Sequence, residues 1–388
     1  MRTIGVVTVA RSDYGIYLPV LRQINESPEL TLHLIVSGMH MLSEYGRTVE
    51  QIVADKFEIG DRFEMLLSSD TPEGIAKSIG LGVIGFSQSY SRFCPDILVV
   101  LGDRFEMLSA VLAALPFNIP VAHIHGGEVT QGAIDEAIRH SITKMSHLHF
   151  VSTEQYKKRV IQMGEEPWRV TVSGAPSLDN LRTILLLDKD DLEKTIGMVL
   201  EPAPLLVTFH PVTLEYNDTS WHINELLAAL DEIKMPVLFT SPNADTSNRV
   251  IVDAISQYVQ AHRNARLVTN LGTQAYFSCM KYAAAMVGNS SSGIIEAASF
   301  GLPVVNIGSR QRGRIQGRNT IDVDYGRQDI AEAIRLAVSS HFRDSLAGMR
   351  NPYGDCRSAE RIVQAISEVS IDQKLLHKVF HDHMENEL

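Results

Sequence analysis

The chain has 388 residues, 45% of them hydrophobic and 21% charged, and its 46 acidic against 35 basic residues give a net charge of −11. Surplus negative charge argues against a nucleic-acid or anionic-membrane partner, because both attract basic surfaces. The three separated cysteines argue against a disulfide framework and a thiolate metal site. No apolar run approaches the roughly 20 residues of a membrane span, and the N-terminus reads as a strand rather than a signal peptide. We therefore expect a cytoplasmic protein.

Short apolar runs rich in β-branched residues alternate with segments of helical periodicity along the chain. In the first half they predict strands at 3–10, 30–38, 96–103, 119–127, 147–152 and 169–174. In the second half they predict strands at 204–211, 235–242, 265–270, 284–291 and 303–309. Apolar strands separated by helices are typical of parallel sheets covered on both faces.

The two series of strands predict an α/β protein with two doubly wound, Rossmann-like domains facing across a cleft. We place the N-terminal domain at 1–178. The C-terminal domain is placed at 179–366. The segment 367–388 is predicted to be a last helix that packs back on the first domain.

Polar clusters follow the carboxyl ends of six predicted strands. Three lie in each half: ARSDYG, LGDRFE and HIHGGE, then TFHPVT, TSPNAD and VGNSSSG. Open α/β sheets bind ligands at this edge. The repeated placement favours a functional site over chance loop composition.

The segment VGNSSSGIIE predicts a phosphate-binding helix N-terminus. Ser290 and Ser291 stand where backbone N–H groups and the helix dipole attract an anion. Glu296 could accept hydrogen bonds from ribose hydroxyls; the alternative is a serine N-cap with Glu296 on a solvated face. After the first strand, Arg11 and Asp13 replace the glycines of a dinucleotide fingerprint, which argues against NAD.

Two further clusters carry arginines. In GDRFE, Asp103 and Arg104 follow a strand, and the alternative to a functional role is a helix cap with a surface arginine. In GSRQRGRIQGR, the arginines after the first are interpreted as solvated loop charges: Arg312, Arg314 and Arg318.

The segment HIHGGEVTQGAIDEAIRH concentrates titratable groups after one strand. His123 and His125 are predicted to share a strand face, but no third ligand stands at a metal-site spacing, so we expect no metal. Two glycines permit a tight turn before Glu128. Asp135 then opens a helix, where Arg139 can pair with it one turn on. Acid/base chemistry and a capped helix with a surface ion pair both fit this pattern.

These motifs, in this order along nearly the whole chain, resemble the hydrolysing UDP-N-acetylglucosamine 2-epimerases of the sialic-acid and legionaminic-acid branch. The resemblance implies a GT-B-like architecture with the nucleotide held mainly by the second domain, and no cofactor. It implies substrate contacts at Arg11, Asp13, Arg104, His210, Asn243, Ser290, Ser291, Glu296 and Arg310. It implies catalytic roles at Asp103, His125, Glu128 and Asp135. Some members carry glutamate at the position of His125.

The implied reaction converts UDP-GlcNAc and water to ManNAc and UDP, the first step of sialic-acid-type biosynthesis. The C2 proton has no adjacent carbonyl, so UDP leaves first, a 2-acetamidoglycal forms, and water then adds. The alternative substrate is UDP-N,N'-diacetylbacillosamine. From other classes, a GT-B glycosyltransferase or a non-catalytic nucleotide-sugar binder would retain the same nucleotide site. We expect a UDP-sugar substrate, no nucleic-acid or membrane partner, and a homo-oligomer, either dimer or tetramer.

Overall fold

The computed structural model describes residues 1–42, 48–67, 69, 71–130, 134–241, 248–269 and 271–382. The chain falls into two compact units. Unit 1 comprises Met1–Glu128, Asp135–Arg182 and Tyr353–Leu388, and unit 2 comprises Val129–Ile134 and Thr183–Pro352. Apart from the short segment Val129–Ile134, the units change at 182/183 and 352/353, whereas the boundaries predicted from the sequence are 178/179 and 366/367.

Unit 1 is built on one parallel sheet. Its described strands are β1 (Arg2–Thr8), β2 (Leu30–Val36), β3 (Ile59–Arg62), β4 (Ile97–Leu101), β5 (Val121–Ile124), β6 (Leu148–Val151) and β7 (Val170–Val172). They are ordered β3-β2-β1-β4-β5-β6-β7, with parallel neighbours throughout. In register, Val6 pairs with Leu34 on one side and Val99 on the other. Every residue of β4 and β5 is buried, as expected where both faces of a sheet are covered.

Unit 2 contains the second parallel sheet. Its described strands are β8 (Leu205–Thr208), β9 (Val237–Thr240), β10 (Ala265–Val268), β11 (Ala285–Gly288), β12 (Val304–Ile307) and β13 (Thr320–Val323). They are ordered β10-β9-β8-β11-β12-β13, again all parallel. Val287 pairs with Val207 and Val305, at the centre of a second apolar core. The predicted fold class of two parallel α/β domains is confirmed.

Helices connect these strands. In chain order the α-helices are α1 (Arg11–Glu26), α2 (Val49–Ala54), α3 (Pro72–Arg92), α4 (Phe105–Ala114), α5 (Asp135–Met145), α6 (Glu154–Gln162), α7 (Asn180–Thr183), α8 (Lys189–Ile196), α9 (Thr219–Ile233), α10 (Asn248–Ala261), α11 (Gly272–Tyr282), α12 (Ser291–Ile295), α13 (Arg327–Val338), α14 (Ser340–Ser345), α15 (Ser358–Glu368) and α16 (Gln373–Leu376). Short 3-10 helices lie at Gly38–Met41, Leu115–Phe117, Pro167–Arg169, Pro176–Asp179, Thr213–Asp218 and Ala297–Phe300. In the described part of the chain no helix has the length and apolar character needed to cross a membrane.

The C-terminal segment belongs to unit 1. On α15, Ile362, Val363 and Ile366 are buried in the core of that unit, at the spacing of one helix face. Within the described residues, the predicted long last helix is instead the four-residue α16 followed by irregular chain up to residue 382. Arg169 donates to the carbonyl oxygens of Lys374 (2.7 Å) and Leu375 (2.9 Å), which a continuing helix would use internally.

Candidate functional site

The polar loops of unit 1 lie at the carboxyl ends of three adjacent strands. Arg11 begins α1 after β1, Asp103 and Arg104 follow β4, and the turn from His125 to Glu128 follows β5. Since β1, β4 and β5 are neighbours in a parallel sheet, their carboxyl ends share one edge. The sheet order thus explains why sequence motifs more than 20 residues apart meet.

The strand β5 ends before His125, at Ile124. His125 has a φ of +66°, a left-handed conformation that costs a non-glycine residue roughly 1–2 kcal/mol, and its N–H donates to Phe150 O at 2.9 Å. The prediction that His123 and His125 share a strand face is therefore wrong. The direction of the His125 side chain is therefore set by the turn and not by the pleat of the strand. Backbone strain of this kind is typical of functional positions.

His123 is a structural residue. Its Nε2 lies 2.8 Å from Gly102 O and its Nδ1 lies 3.2 Å from Thr143 Oγ1, so both ring nitrogens are engaged inside the protein. Burial lowers the pKa of His123 to about 3, which keeps the imidazole neutral. This histidine ties β4 and α5 to β5 rather than acting on a ligand.

His125 and Glu128 form a buried histidine–carboxylate pair. His125 Nδ1 lies 2.5 Å from Glu128 Oε1, which also accepts from Ser152 Oγ at 2.9 Å. A carboxylate only accepts, so Nδ1 donates its proton to Glu128, and in the neutral imidazole the lone pair is then on Nε2. Among the described residues Nε2 of His125 has no hydrogen-bond partner, although it is buried. The pair presents a proton acceptor held in one tautomer.

Glycine is required in this turn at position 127. Gly127 has a φ of +73°, and a Cβ there would lie 2.7 Å from Tyr156 O. The close approach lets the chain reverse within three residues, which returns Glu128 to His125. The adjacent glycines of the HIHGGE motif therefore have a geometric reason.

Arg139 connects the predicted acid/base residues. Its guanidinium pairs with Asp103, donates from Nη1 to His125 O at 3.2 Å, and lies 3.5 Å from Glu128 Oε2. The side chain is only 2% exposed, so its positive charge offsets part of the negative charge of the two carboxylates. Local spacing predicted only Asp135, the half-buried first residue of α5, as a partner of Arg139.

A signal for the role of Arg139 is present in the sequence. Arg139 lies between Ile138 and Ile142 on the buried face of α5. An arginine on the apolar face of an amphipathic helix requires buried acidic or carbonyl partners, because an unpaired buried charge is strongly destabilising. Ser152, at the end of β6, carries no comparable signal.

Asp13 is directed into unit 1. Its carboxylate accepts from the hydroxyl of Thr8, from Val9 N at 3.1 Å and from Ala10 N at 2.9 Å, fixing the turn between β1 and α1. Burial raises the pKa of Asp13 to about 7, while these hydrogen bonds and the charge of Arg104 act in the opposite direction. Asp13 therefore holds the turn from which Arg11, an exposed residue, extends.

Arg104 is held in place by a buried carboxylate. Its Nη2 and Nε lie 3.0 Å and 3.2 Å from the two oxygens of Glu106, a side chain with no solvent exposure. The two-point contact fixes the plane of the guanidinium. The alternative of a surface arginine is therefore excluded for Arg104, which is only 14% exposed.

In unit 2, Asn289 links the ends of two adjacent strands. Its Oδ1 accepts from His210 N at 2.7 Å and its Nδ2 donates to His210 O at 2.8 Å. The preceding Gly288 has a φ of +134°, and a Cβ there would lie 2.0 Å from Thr208 O. The loop after β11 is thus pressed against the end of β8, and no larger residue fits at position 288.

The loop after β12 joins the same cluster. Arg310 Nη1 and Gln311 Nε2 both donate to Asn289 O, at 3.1 Å and 2.8 Å. His210 is buried beside this arginine, and burial first and the positive charge of Arg310 second hold its pKa well below the usual range. Unit 2 therefore presents a neutral imidazole and a guanidinium side by side.

The serines and Glu296 surround the short helix α12. Ser290 caps it by accepting from Ser292 N at 3.3 Å, and Ser291 is its first residue. Glu296 follows its last residue and is only 6% exposed. The alternative of Glu296 on a solvated helix face is therefore excluded. Asn243, the remaining predicted contact, lies outside the described residues.

The later arginines of this region differ from one another. Arg312 and Arg318 are exposed, in agreement with solvated loop charges. Arg314 is half-buried, and its Nε donates to Val129 O at 2.9 Å and its Nη2 to Thr130 Oγ1 at 3.3 Å. The solvated interpretation of Arg314 is therefore wrong. Groups of three or more His, Cys, Asp or Glu side chains placed to hold a metal ion do not occur in the described ranges.

Known proteins match this chain over nearly its whole length. A family model described as UDP-N-acetylglucosamine 2-epimerase matches residues 22–367. The chain is 39% identical to the GDP/UDP-N,N'-diacetylbacillosamine 2-epimerase (hydrolyzing) of Campylobacter jejuni, with 98% of this chain and 99% of that protein aligned. It is 36% identical to the UDP-N,N'-diacetylbacillosamine 2-epimerase (hydrolyzing) of Legionella pneumophila, over 97% of this chain and 99% of that protein.

A solved structure shares the fold. The crystal structure of UDP-GlcNAc 2-epimerase from Neisseria meningitidis bound to UDP-GlcNAc matches with a TM-score of 0.79 at 18% identity, covering 94% of this chain and 99% of that one. The resemblance read from the motifs is thereby confirmed. From the family match and the full-length similarity to these relatives, together with the fold, it follows that the chain belongs to the UDP-N-acetylglucosamine 2-epimerase family.

Proposed function

We propose that this chain is a hydrolysing 2-epimerase that converts a UDP-2-acetamido sugar and water to UDP and the free sugar inverted at C2. The observation that carries the proposal is the buried pair of His125 and Glu128, with a histidine nitrogen available as a proton acceptor beside the Asp103–Arg139 ion pair. The two relatives described above are named as hydrolysing 2-epimerases, which supports the same reaction.

The chemistry requires two steps. In the first, the C1–O bond to the diphosphate breaks and UDP leaves with its electron pair, which gives an oxocarbenium-like centre at C1. A base then takes the C2 proton, and the electrons of the C–H bond form the C1–C2 double bond of a 2-acetamidoglycal. In the second, water adds its hydroxyl to C1 while one protein group takes the remaining proton of that water and another delivers a proton to the opposite face of C2. Each proton transfer by a positioned side chain contributes roughly 10²–10⁴ in rate.

The residues of unit 1 can supply these proton transfers. His125 is assigned to one of them through Nε2, with Glu128 fixing its tautomer and Ser152 fixing Glu128. Asp103 and Asp135 are assigned to the others, and Arg139 holds Asp103 in place. Separate kinetics of the elimination and of the hydration in each variant would show which group takes the proton from C2 and which group returns one.

The residues of unit 2 can hold the nucleotide. Arg310 and the Ser290–Ser291 start of α12 suit a diphosphate, since a guanidinium and the backbone and hydroxyl groups at a helix N-terminus both attract phosphate oxygens. Glu296, buried beyond α12, suits the two ribose hydroxyls as an acceptor. The neutral His210 suits a contact with the base or the phosphates. Arg11 and Arg104 of unit 1 are assigned further substrate contacts.

Two substrates are proposed in order. UDP-N,N'-diacetylbacillosamine comes first, because two relatives at 36% identity or more carry it in their names, one of them together with GDP. UDP-GlcNAc, giving ManNAc, comes second, because a protein of the same fold was solved with it bound. GDP and UDP forms of each sugar should therefore be compared.

The test is the set of products from each sugar nucleotide, identified by NMR, without added NAD or metal. We expect free nucleoside diphosphate and a free sugar inverted at C2. Release of a diphosphate only when an acceptor sugar is present would identify a glycosyltransferase instead. Tight binding without turnover of any substrate would identify a nucleotide-sugar binding protein. A homo-oligomer and a cytoplasmic location are further proposals, measured by light scattering and by cell fractionation.

A further inference from the structure

Glu215, Ser309 and Tyr325 form a hydrogen-bonded triangle in unit 2, here called the Glu215 triangle. Glu215 Oε1 accepts from Ser309 Oγ at 2.6 Å, and Glu215 Oε2 accepts from Tyr325 OH at 2.7 Å. The tyrosine oxygen also accepts from Ser309 N at 3.4 Å. One carboxylate therefore connects a loop hydroxyl and a phenol from two different segments.

The ring of Tyr325 is itself firmly placed. It stacks on His222 with ring centroids 3.5 Å apart and planes within 10°, and Trp221 packs against it at 6.0 Å. On its other side it lies so close to Gly308 that a Cβ there would be 2.1 Å from Cζ. Gly308 has a φ of +75°, so the backbone turns around the ring.

The triangle joins two loops that carry proposed nucleotide contacts. Glu215 lies in the 3-10 helix Thr213–Asp218, five residues after His210. Ser309 directly precedes Arg310 in the loop after β12. A change at Glu215 or Tyr325 would therefore reach His210 and Arg310 through short stretches of backbone.

We propose that Glu215 and Tyr325 are positioning residues for nucleotide binding, which hold the loops of His210 and Arg310 in the geometry that grips the diphosphate. The inference rests on the proposed function for its ligand, a nucleoside diphosphate. A long arginine side chain loses rotamer freedom on binding, and a loop fixed beforehand lowers that loss. Neither residue is assigned a part in proton transfer.

We expect variants of Glu215 and Tyr325 to lose affinity for the nucleotide without an equal loss of catalytic rate. Each variant removes or weakens a hydrogen bond to the charged Glu215. We expect the loss of such a bond to lower the affinity for UDP on the order of tenfold. In Tyr325→Phe and Glu215→Gln we expect the Kd for UDP and the KM to rise by about this factor. We expect kcat to change by less than about threefold, because the residues assigned to proton transfer, His125 and Asp103, are unchanged.

Tyr258→Phe is the matched control. Tyr258 also stacks on a histidine in unit 2, His262, at 4.0 Å and 15°, but it lies on α10, which is part of neither loop. Its replacement should leave the Kd, KM and kcat unchanged. Ser309→Ala removes a single bond of the triangle and gives a second, milder variant if Tyr325→Phe or Glu215→Gln fails to fold.

The measurements are UDP titration by calorimetry and steady-state kinetics on the full chain. Unchanged Kd and KM in folded Tyr325→Phe, Glu215→Gln and Ser309→Ala would overturn the proposal. An equal loss in Tyr258→Phe would also overturn it, because the effect would then be one of general stability. A wild-type chain that binds UDP but does not hydrolyse a UDP sugar would refute the proposed function alone, and the Kd values would still decide this inference. A wild-type chain that does not bind UDP would refute both.

Discussion

Replacing Glu128 by glutamine tests the histidine–carboxylate pair directly. Glu128 Oε1 receives hydrogen bonds from His125 at 2.5 Å and from Ser152 at 2.9 Å, and Oε2 lies 3.5 Å from Arg139. Glutamine has one acceptor and one donor end. If its oxygen stays on His125, its NH₂ group faces the Arg139 guanidinium, and two donors meet. If it flips, the NH₂ group donates to Nδ1 and the histidine proton moves to Nε2.

Both orientations weaken His125 as a base. The first keeps the tautomer but removes the negative charge that stabilises the imidazolium formed on proton transfer, and the second puts a proton on the nitrogen that should accept one. In hydrolases, exchanging a carboxylate for an amide behind a catalytic histidine lowers kcat by about 10⁴ for this tautomer reason. We expect Glu128→Gln to lower kcat by about 10²–10⁴, with a loss of stability of about 1–3 kcal/mol from the weakened buried hydrogen bonds.

The assay pairs stopped-time product analysis with UDP calorimetry. The Kd for UDP should change by less than about threefold, because the proposed nucleotide contacts of unit 2 are untouched. Asp231→Asn is the matched control, since it removes the carboxylate from the exposed His262–Asp231 pair, 3.0 Å apart, and should leave kcat unchanged. A folded Glu128→Gln variant with wild-type kcat would refute the assignment of His125 as a base held by Glu128.

Three further predictions follow from the remaining residues. Glu296→Ala should weaken UDP binding by roughly tenfold to over a hundredfold in calorimetry, through loss of a charged ribose acceptor, and an unchanged Kd would remove Glu296 from the ribose site. Asp103→Asn and Asp135→Asn should each lower kcat by about 10² or more at near-normal Kd for UDP, and wild-type rates in both would refute their proton-transfer roles. Glu165 is bonded to His149, Lys144 and Lys378, and despite the opposing effect of burial these partners lower its pKa to about 2 from 4.5. A carboxyl group whose pKa is lowered on folding stabilises the folded state above about pH 4.5, and this stabilisation is lost as the pH falls towards 2. The difference in unfolding free energy between wild type and Glu165→Gln, from urea titrations, should therefore be largest near neutral pH and shrink in acid, and a pH-independent difference would contradict the ion-pair account.

The pattern of apolar residues predicted the central strands of both sheets but missed one edge strand in each. Every predicted strand overlaps an observed one, whereas β3 and β13 were absent from the prediction. β3 contains Asp61 and Arg62 and alternates between half-buried and exposed residues, and β13 has no fully buried residue. Edge strands need fewer apolar residues because one side has no neighbour. The apolar signal that identifies central strands is therefore weak at these positions.

Motifs located the candidate site better than they described its contacts. The clusters after β1, β4, β5, β8 and β11 were placed correctly at strand ends. The left-handed His125, the contact of Arg139 with Asp103 and the inward direction of Asp13 depend on the tertiary structure. Residues 36 positions apart, such as Asp103 and Arg139, meet only through the order of the strands. Local spacing instead favoured the nearer partner, Asp135.

The central claim, elimination followed by hydration with acid/base groups of the protein, is tested most directly by turnover in deuterated water. Substrate with ordinary hydrogen at C2 is converted, and the released sugar is examined by NMR and mass spectrometry. The mechanism predicts one deuterium at C2 of the inverted product, because the proton taken from C2 exchanges with solvent before a new one is delivered. An inverted product that retains its original hydrogen at C2 would contradict the account.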